Sequence, residues 1–404
     1  MKEIGIYIHI PFCKSKCYYC DFCSYANKEE LVDKYITSLI CEINKITTLI
    51  ENKTIKIKKE EKVEEKLIEN KYIISTIYIG GGTPSYIESK YIVEIINKIK
   101  EKFNIKEEAE ITIEVNPGTV DYNKLEDYFN CGINRLSIGL QSTYDFLLKE
   151  IGRIHNFQDF IETYHIARQV GFNNINVDLM LALPNQTIEQ IKDSVEEIIG
   201  LDPEHISVYS LILEENTKLE KMVSSGELEL PNDEEERKMY WKVKDILEEN
   251  GYIHYEISNF SKPNYHSRHN LNCWNQMEYI GLGAAAHSYM NGIRYSNTEN
   301  IKQYIMQYLN EKETENEIEK NNYIINEKQD KFDMEKEYMI LGLRKIEGVN
   351  IQEFKNKFID NPIYLFYQEL EKLSNEDLIQ IDGNYIKLTD KGLDFANIVW
   401  EEFV

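Results

Sequence analysis

The chain has 404 residues, 42% of them hydrophobic and 29% charged, with a formal net charge of −24. That length and apolar content supply a core for one large domain and a smaller one, and the acidic balance argues against nucleic acid as a partner, because phosphate binding needs a basic face. No run reaches the roughly 18–20 apolar residues of a membrane span, the start leads straight into a strand, and seven cysteines in so long a chain do not read as a disulfide framework; a reducing, cytoplasmic setting is expected.

The first predicted strand, residues 4–10, runs into Pro11-Phe12-Cys13-Lys14-Ser15-Lys16-Cys17-Tyr18-Tyr19-Cys20-Asp21-Phe22-Cys23. Cys13, Cys17 and Cys20 are spaced to hold three corners of a cubic iron-sulfur cluster. A cube takes four ligands, so three thiolates leave one iron open to a chelating ligand such as the amino and carboxylate groups of S-adenosylmethionine. Zinc on Cys13, Cys17, Cys20 and Cys23 is the competing reading, but zinc sites pair two short knuckles from separate hairpins rather than four thiols in one loop. Cys41 and Cys131 fall in helical patterns and read as small buried hydrophobes. Residues 51–71, a run of Lys, Glu, Ile and Asn without Gly or Pro, read as an insertion that extends the preceding helix into solvent.

Further strands are predicted at 73–79, 110–116, 135–141, 174–181 and 205–211, with amphipathic helices between them, for example at 89–103, 157–171 and 187–200. Repeated strand-helix units imply a parallel sheet with right-handed crossovers, doubly wound or closed. The alternation decides between these. Tyr7, His9, Tyr78, Thr112, Glu114, Asn116, Gln141, Asn176, Asp178 and Tyr209 fall on the face opposite the Ile, Val and Leu residues that pack on helices. An eight-stranded barrel fills its interior with branched apolar side chains, whereas this lining is polar, so an incomplete barrel with a ligand inside is expected.

The strand ends carry the chemistry, as they do at the C-terminal mouth of βα barrels. Gly80-Gly81-Gly82-Thr83-Pro84 follows the second strand and lets backbone approach a ligand closely. Glu114 and Asp178 are acids in apolar strands and need a partner to offset desolvation: a buried pair with Arg135 or Arg153 on one reading, a bound ligand on the other. Further on, residues 310–333 look like a polar interdomain linker. Residues 339–358 and 373–395 read as helices followed by a β-wing, a winged-helix-like arrangement that on so acidic a chain suits a lid or docking surface better than a DNA reader.

The cysteine loop resembles that of radical S-adenosylmethionine (radical SAM) proteins. The later segments Tyr255-Glu256-Ile257-Ser258-Asn259-Phe260, His269-Asn270-Leu271-Asn272-Cys273-Trp274 and 281–289 are similar to the coproporphyrinogen oxidase-like group, in particular its haem-chaperone branch, over nearly the whole chain. The resemblance implies a six-stranded partial (βα)6 barrel over 1–230, an associated extension over 231–309, the linker at 310–333 and the small α+β winged-helix-like domain over 334–404. It implies a [4Fe-4S] cluster on Cys13, Cys17 and Cys20, whose electron breaks a carbon-sulfur bond of S-adenosylmethionine to release a 5′-deoxyadenosyl radical. Contacts to that ligand are implied for Gly81, Gly82 and Thr83 at the methionine amino group, and for Glu114, Gln141, Arg153 and Asp178 around the sulfonium, carboxylate and ribose. Tyr7 is implied nearby, and Tyr19 beside the adenine or in plain packing.

Within the group two functions compete. One is a haem chaperone with haem as cargo, a recipient haemoprotein, an electron donor such as a flavodoxin or ferredoxin, and room for a homodimer or peripheral membrane contact. The other is an oxygen-independent coproporphyrinogen III dehydrogenase. The fourth cysteine at Cys23 in Cys-Asp-Phe-Cys, and the twelve residues ahead of Cys13, favour the chaperone. The chaperone's His-Asn-x-x-Tyr-Trp motif makes His269 the haem candidate, although Cys273 stands where the motif has tyrosine. A hydrogen-bonded structural role is the plain alternative for His269. Cys273 shares a helical face with it and either approaches an iron or is buried. His266 and His287 are weaker candidates, the latter in a turn expected to close over the adenosyl ligand.

Overall fold

In a computed structural model of the chain, residues 1–51, 55–59, 62–66, 72–309 and 323–404 are described. The six expected strands form: β1 (Lys2–Ile10), β2 (Tyr72–Gly81), β3 (Ile105–Val115), β4 (Arg135–Gln141), β5 (Ile175–Leu181) and β6 (His205–Ser210). They are followed by β7 (Ile253–Glu256), β8 (Asn259–Ser261), β9 (Tyr279–Leu282), β10 (His287–Met290), β11 (Ile293–Ser296) and β12 (Ile324–Lys328). All twelve join one sheet in the order β7-β8-β6-β5-β4-β3-β2-β1-β9-β10-β11-β12. Pairing is parallel from β6 through β1 to β9 and antiparallel at both ends. This is an α/β architecture with a mostly parallel central sheet, helices outside and a polar lumen inside.

Strand alternation builds the two faces. Ile4, Ile6, Ile8, Ile77, Ile79, Ile113, Leu136, Ile138, Ile175, Val177, Leu179 and Ile206 are fully buried against helices such as Val32–Glu51, Ser89–Lys102 and Ile188–Gly200. Burying so many branched side chains supplies the driving force, at roughly 1.5–3 kcal/mol each. The helix starts are encoded locally. Asn156 and Thr187 each accept from the backbone of the third helical residue, while Asp159 and Gln190 reach back to the cap, closing capping boxes ahead of Phe157–Val170 and Ile188–Gly200.

Three expectations change. Within 51–71, the described residues form an antiparallel pair, Ile55–Lys59 with Lys62–Lys66, rather than a continued helix; the alternating Ile and Lys of the first strand has period two, not 3.6. The rest of that run lies outside the described residues, as does 310–322 of the expected linker. The described end of that linker adds β12 to the sheet edge and then opens the helix Lys331–Gly342, capped by Asp330. Residues 281–289, expected as a closing turn, pack back on the barrel. They contribute β9, a parallel neighbour of β1, and a turn whose Gly283 and Ala284 amides donate to Glu42 and Tyr35. His287 is exposed on β10.

The C-terminal residues make a second core of Phe354, Phe358, Phe366, Leu370, Leu373, Val399 and Phe403. A three-stranded sheet lies beside it, Val349–Asn350 next to Tyr385–Leu388 next to Ile379–Asp382, with Gly383 and Asn384 turning the wing. Residues 339–358 are therefore two helices broken at Gly342 and Gly348. No described helix is long and apolar enough to cross a membrane.

Candidate functional site

The C-terminal ends of the strands surround a cavity of about 580 Å³. Its wall brings together Cys13, Cys17, Cys20, Tyr19, Gly81, Gly82, Thr83, Glu114, Gln141, Arg153 and Asp178. Tyr7 and His269 are not on that wall.

The cysteine loop is stapled at several points. The Tyr18 amide donates to the Ile151 carbonyl, the Leu219 amide to the Tyr18 carbonyl, and Lys16 Nζ to the Phe22 carbonyl at 3.0 Å. All three thiols are free, and Thr83 Oγ1 donates to Cys13 Sγ at 3.5 Å. Burial raises the Cys13 and Cys20 thiols above their usual range, so metal loading must displace their protons. Among the described residues no three Cys, His, Asp or Glu side chains converge as a single ion would require. Three free thiols of one loop on the cavity wall form an all-sulfur donor set of the kind that holds an iron-sulfur cluster. Cys23 is apart from the wall, its thiol donating to the Glu299 carbonyl at 3.3 Å.

Gly81 sits at φ +114, and a Cβ there would lie 2.6 Å from the His9 ring. Only glycine allows the strand to end against that imidazole. His9 in turn joins Tyr7 Oη (2.9 Å) to the Cys23 carbonyl (2.8 Å), tying the first strand to the cysteine loop. The Tyr7 ring stacks behind Tyr78 with centroids 6.4 Å apart. Tyr7 thus backs the wall instead of contributing to it, because the inward residue of the neighbouring strand covers it.

Glu114 accepts from Tyr78 Oη at 2.9 Å. Burial pushes its carboxyl up to about 7, against the pull of the Tyr78 hydrogen bond and with a further push from Asp178. Asp178, raised by burial, accepts from Asn176 Nδ2 at 2.7 Å. Arg153 donates to Asn116 Oδ1 at 3.1 Å while its Nε has no partner, leaving a guanidinium edge on the cavity. The alternative reading, a carboxylate pair with Arg153, has no ion pair within 4.0 Å among the described residues. Gln141 takes φ +76 where the β4–β5 register slips, and this bulge keeps it on the wall.

Tyr78, Asn116, Ser137, Met180 and Ile212 also line the cavity. Tyr78 and Asn116 were visible in the strand alternation; Met180 continues the inward face of β5 after Asn176 and Asp178 but carried no chemical signal, and Ile212 owes its place to the loop after β6.

A radical SAM superfamily profile matches residues 7–198, and a HemN C-terminal domain profile matches 330–395. The chain is 36% identical over 403 residues to a protein of Lactococcus lactis named heme chaperone HemW, covering 100% of this chain and 98% of that one. The chain belongs to the HemW family of radical SAM proteins. A HemW of Bacillus subtilis is 35% identical, covering 98% of both chains. The solved coproporphyrinogen III oxidase HemN of Escherichia coli aligns over 100% of this chain and 90% of its own with a TM-score of 0.81 at 21% identity, a likeness of fold. Membership in the HemW family implies a [4Fe-4S] cluster and S-adenosylmethionine, for which the cavity offers its thiols and polar wall.

The motif histidine lies below this cavity, in the barrel floor. His269 opens the short helix Arg268–Trp274, its amide and that of Arg268 donating to the Glu110 carboxylate at 3.0 Å. The ring hydrogen-bonds Thr76 Oγ1 through Nδ1 at 2.9 Å and stacks under Tyr78 at 5.2 Å. Burial, then Arg135, lowers its pKa to about 4, so it is neutral. At the other end of the helix, Trp274 stacks on Arg344 at 4.3 Å, and Arg344 also covers Trp400 at 5.0 Å. The segment therefore joins the barrel floor to the C-terminal core.

Proposed function

We propose that this protein is a cytoplasmic haem chaperone that holds a [4Fe-4S] cluster and S-adenosylmethionine in the barrel cavity, binds haem and delivers it to a recipient haemoprotein. The observation that carries the reading is one cavity lined by three free thiols, Gly81-Gly82-Thr83, Glu114, Gln141, Arg153 and Asp178, in a chain that aligns end to end with proteins named haem chaperones.

Cys13, Cys17 and Cys20 would hold the cluster. The bound pair supplies reductive cleavage of a sulfonium, chemistry that belongs to the cofactors. The chain's own part is to orient and to exclude water. Arg153, whose Nε is unpartnered, grips a carboxylate; Asp178 accepts from ribose hydroxyls; Glu114 and Gln141 take polar groups near the sulfonium; Tyr19 flanks the adenine. A redox protein of the flavodoxin or ferredoxin type would be the partner that supplies electrons. The barrel spans 1–230, the motif-bearing extension 231–309, and the C-terminal domain begins near 334.

His269 remains the haem candidate on its motif; ligation through Nε2 is compatible with the Nδ1 hydrogen bond to Thr76, but the ring is buried in the floor and must be uncovered for haem to reach it. Anaerobic titration of haem into the reconstituted protein and into His269→Ala, followed by visible spectroscopy, tests this. Saturable binding by the wild type is expected, and its absence overturns the chaperone reading. Loss of the bound spectrum in the variant assigns the ligand to His269; an unchanged spectrum removes it. Turnover of coproporphyrinogen III to protoporphyrinogen with reductant and S-adenosylmethionine would establish the dehydrogenase instead.

A further inference from the structure

The segment 255–260 carries polar side chains that do not reach the cavity wall. Tyr255 Oη contacts His205 Nε2 at 2.7 Å, and His205 Nδ1 contacts Asn176 Oδ1 at 2.6 Å. Asn176 Nδ2 in turn donates to Asp178 Oδ1 at 2.7 Å and to Ser137 Oγ at 2.8 Å. His205 and Asn176 are buried, whereas Asp178 lines the cavity. A file of hydrogen bonds thus runs from β7 through β6 to β5 and ends at the cofactor cavity.

The direction of each bond is fixed. The Asn176 carbonyl oxygen only accepts, so His205 Nδ1 carries the proton. Burial, then Arg135, holds the ring well below its ordinary pKa, which leaves Nε2 bare to accept the Tyr255 hydroxyl; that hydroxyl receives the Ser267 amide at 3.2 Å. With its oxygen held by His205, the Asn176 amide turns its NH2 toward Ser137 and Asp178. Ser207 Oγ also lies 2.9 Å from Asn176 Oδ1, but its one proton has a shorter contact, 2.6 Å, with Asn259 Oδ1. Asn176 makes the short hydrogen bond to Asp178: Ser137 Oγ is 3.4 Å away, and Ser207 and the charge of Arg135 also favour the ionised carboxyl.

We propose that His205 is a positioning residue for the cofactor: acting through Asn176, it holds the Asp178 carboxylate on the cavity wall in the orientation that accepts the ribose hydroxyls of S-adenosylmethionine. The inference rests on the reading of Asp178 as the ribose acceptor and goes beyond it by assigning what aims the carboxylate. It also gives Tyr255 a role, because its hydroxyl fixes the imidazole tautomer on which the file depends.

The test is anaerobic calorimetric titration of the cluster-reconstituted full chain with S-adenosylmethionine and with its 2′,3′-dideoxyribose analogue. The wild type is expected to bind the hydroxylated ligand about tenfold more tightly, as hydroxyl donors to a charged acceptor require. Asp178→Asn should bring the two affinities together, and so should His205→Leu, which removes the donor to Asn176. His205→Asn, whose Nδ2 takes the place of Nδ1, should restore most of the preference. A merely structural role for the ring would move both affinities alike and leave their ratio unchanged. Should His205→Leu fail to fold, Tyr255→Phe releases the tautomer and is expected to cut the preference about threefold. A preference that Asp178→Asn loses but folded His205→Leu or Tyr255→Phe keeps, or a His205→Asn no better than His205→Leu, would overturn the role of His205 alone. A wild type without the preference, or a preference kept in Asp178→Asn, would overturn the ribose reading of Asp178 and this inference with it.

Discussion

Glu114 shows how a single side chain reports on its surroundings. Its carboxyl is held near pH 7, primarily by burial, so between the ordinary value of 4.5 and about 7 the folded protein binds a proton that the unfolded chain releases. Stability from this group is complete below pH 4.5 and is lost as the pH rises through 7. Glu114→Gln should remove that loss, making the ligand-free variant more stable than the wild type at pH 8 with little difference at pH 5. Because the cavity admits water, the difference is expected near 1 kcal/mol, readable as Tm against pH. The direction of the shift was legible in the sequence as an acid among apolar strand residues; its partner was not. A pair with Arg135 or Arg153 was one of the two readings, beside a bound ligand; the contact within the protein comes from Tyr78, two strand residues before Gly80.

At the scale of elements, local pattern and tertiary pairing divide the credit. The six barrel strands and the helices between them followed from period two and period 3.6, which are properties of neighbouring positions. β9 did not, because four residues beside a glycine turn become a strand only when β1 presents its edge. The C-terminal strand pair likewise depends on Gly348. This residue sits at φ +80, where a Cβ would lie 2.1 Å from the Ile386 carbonyl oxygen, so the turn and the close approach of Val349 to Ile386 both need glycine. Gly348→Ala is expected to cost about 2–3 kcal/mol and to lower the Tm of the C-terminal core, measured by calorimetry.

Across the whole molecule the two hydrophobic cores meet through a few polar and aromatic groups. Arg344 sits between Trp274 and Trp400 and within 4.0 Å of the fully buried Glu256, while Lys345 donates to Asn275 Oδ1 at 2.7 Å. Burial raises the Glu256 carboxyl and Arg344 pulls it back, so removing the guanidinium strands a buried acid. Arg344→Ala should cost about 2–3 kcal/mol and separate the melting of the two cores, and Glu256→Gln in the same chain should recover part of the loss. A single melting transition of unchanged Tm would show that the contact does not couple them.

The sequence by itself determined the alternation of the barrel strands, where the chemistry-bearing loops begin and that Cys13, Cys17 and Cys20 share one loop, because each depends on spacing along one chain. Only the tertiary structure decided that Tyr7 stands behind the wall, that 281–289 pack on a helix, and that His269 is a floor residue facing Arg135. Those outcomes depend on which strand lies beside which, and on which buried groups find each other as partners, neither of which a linear spacing encodes.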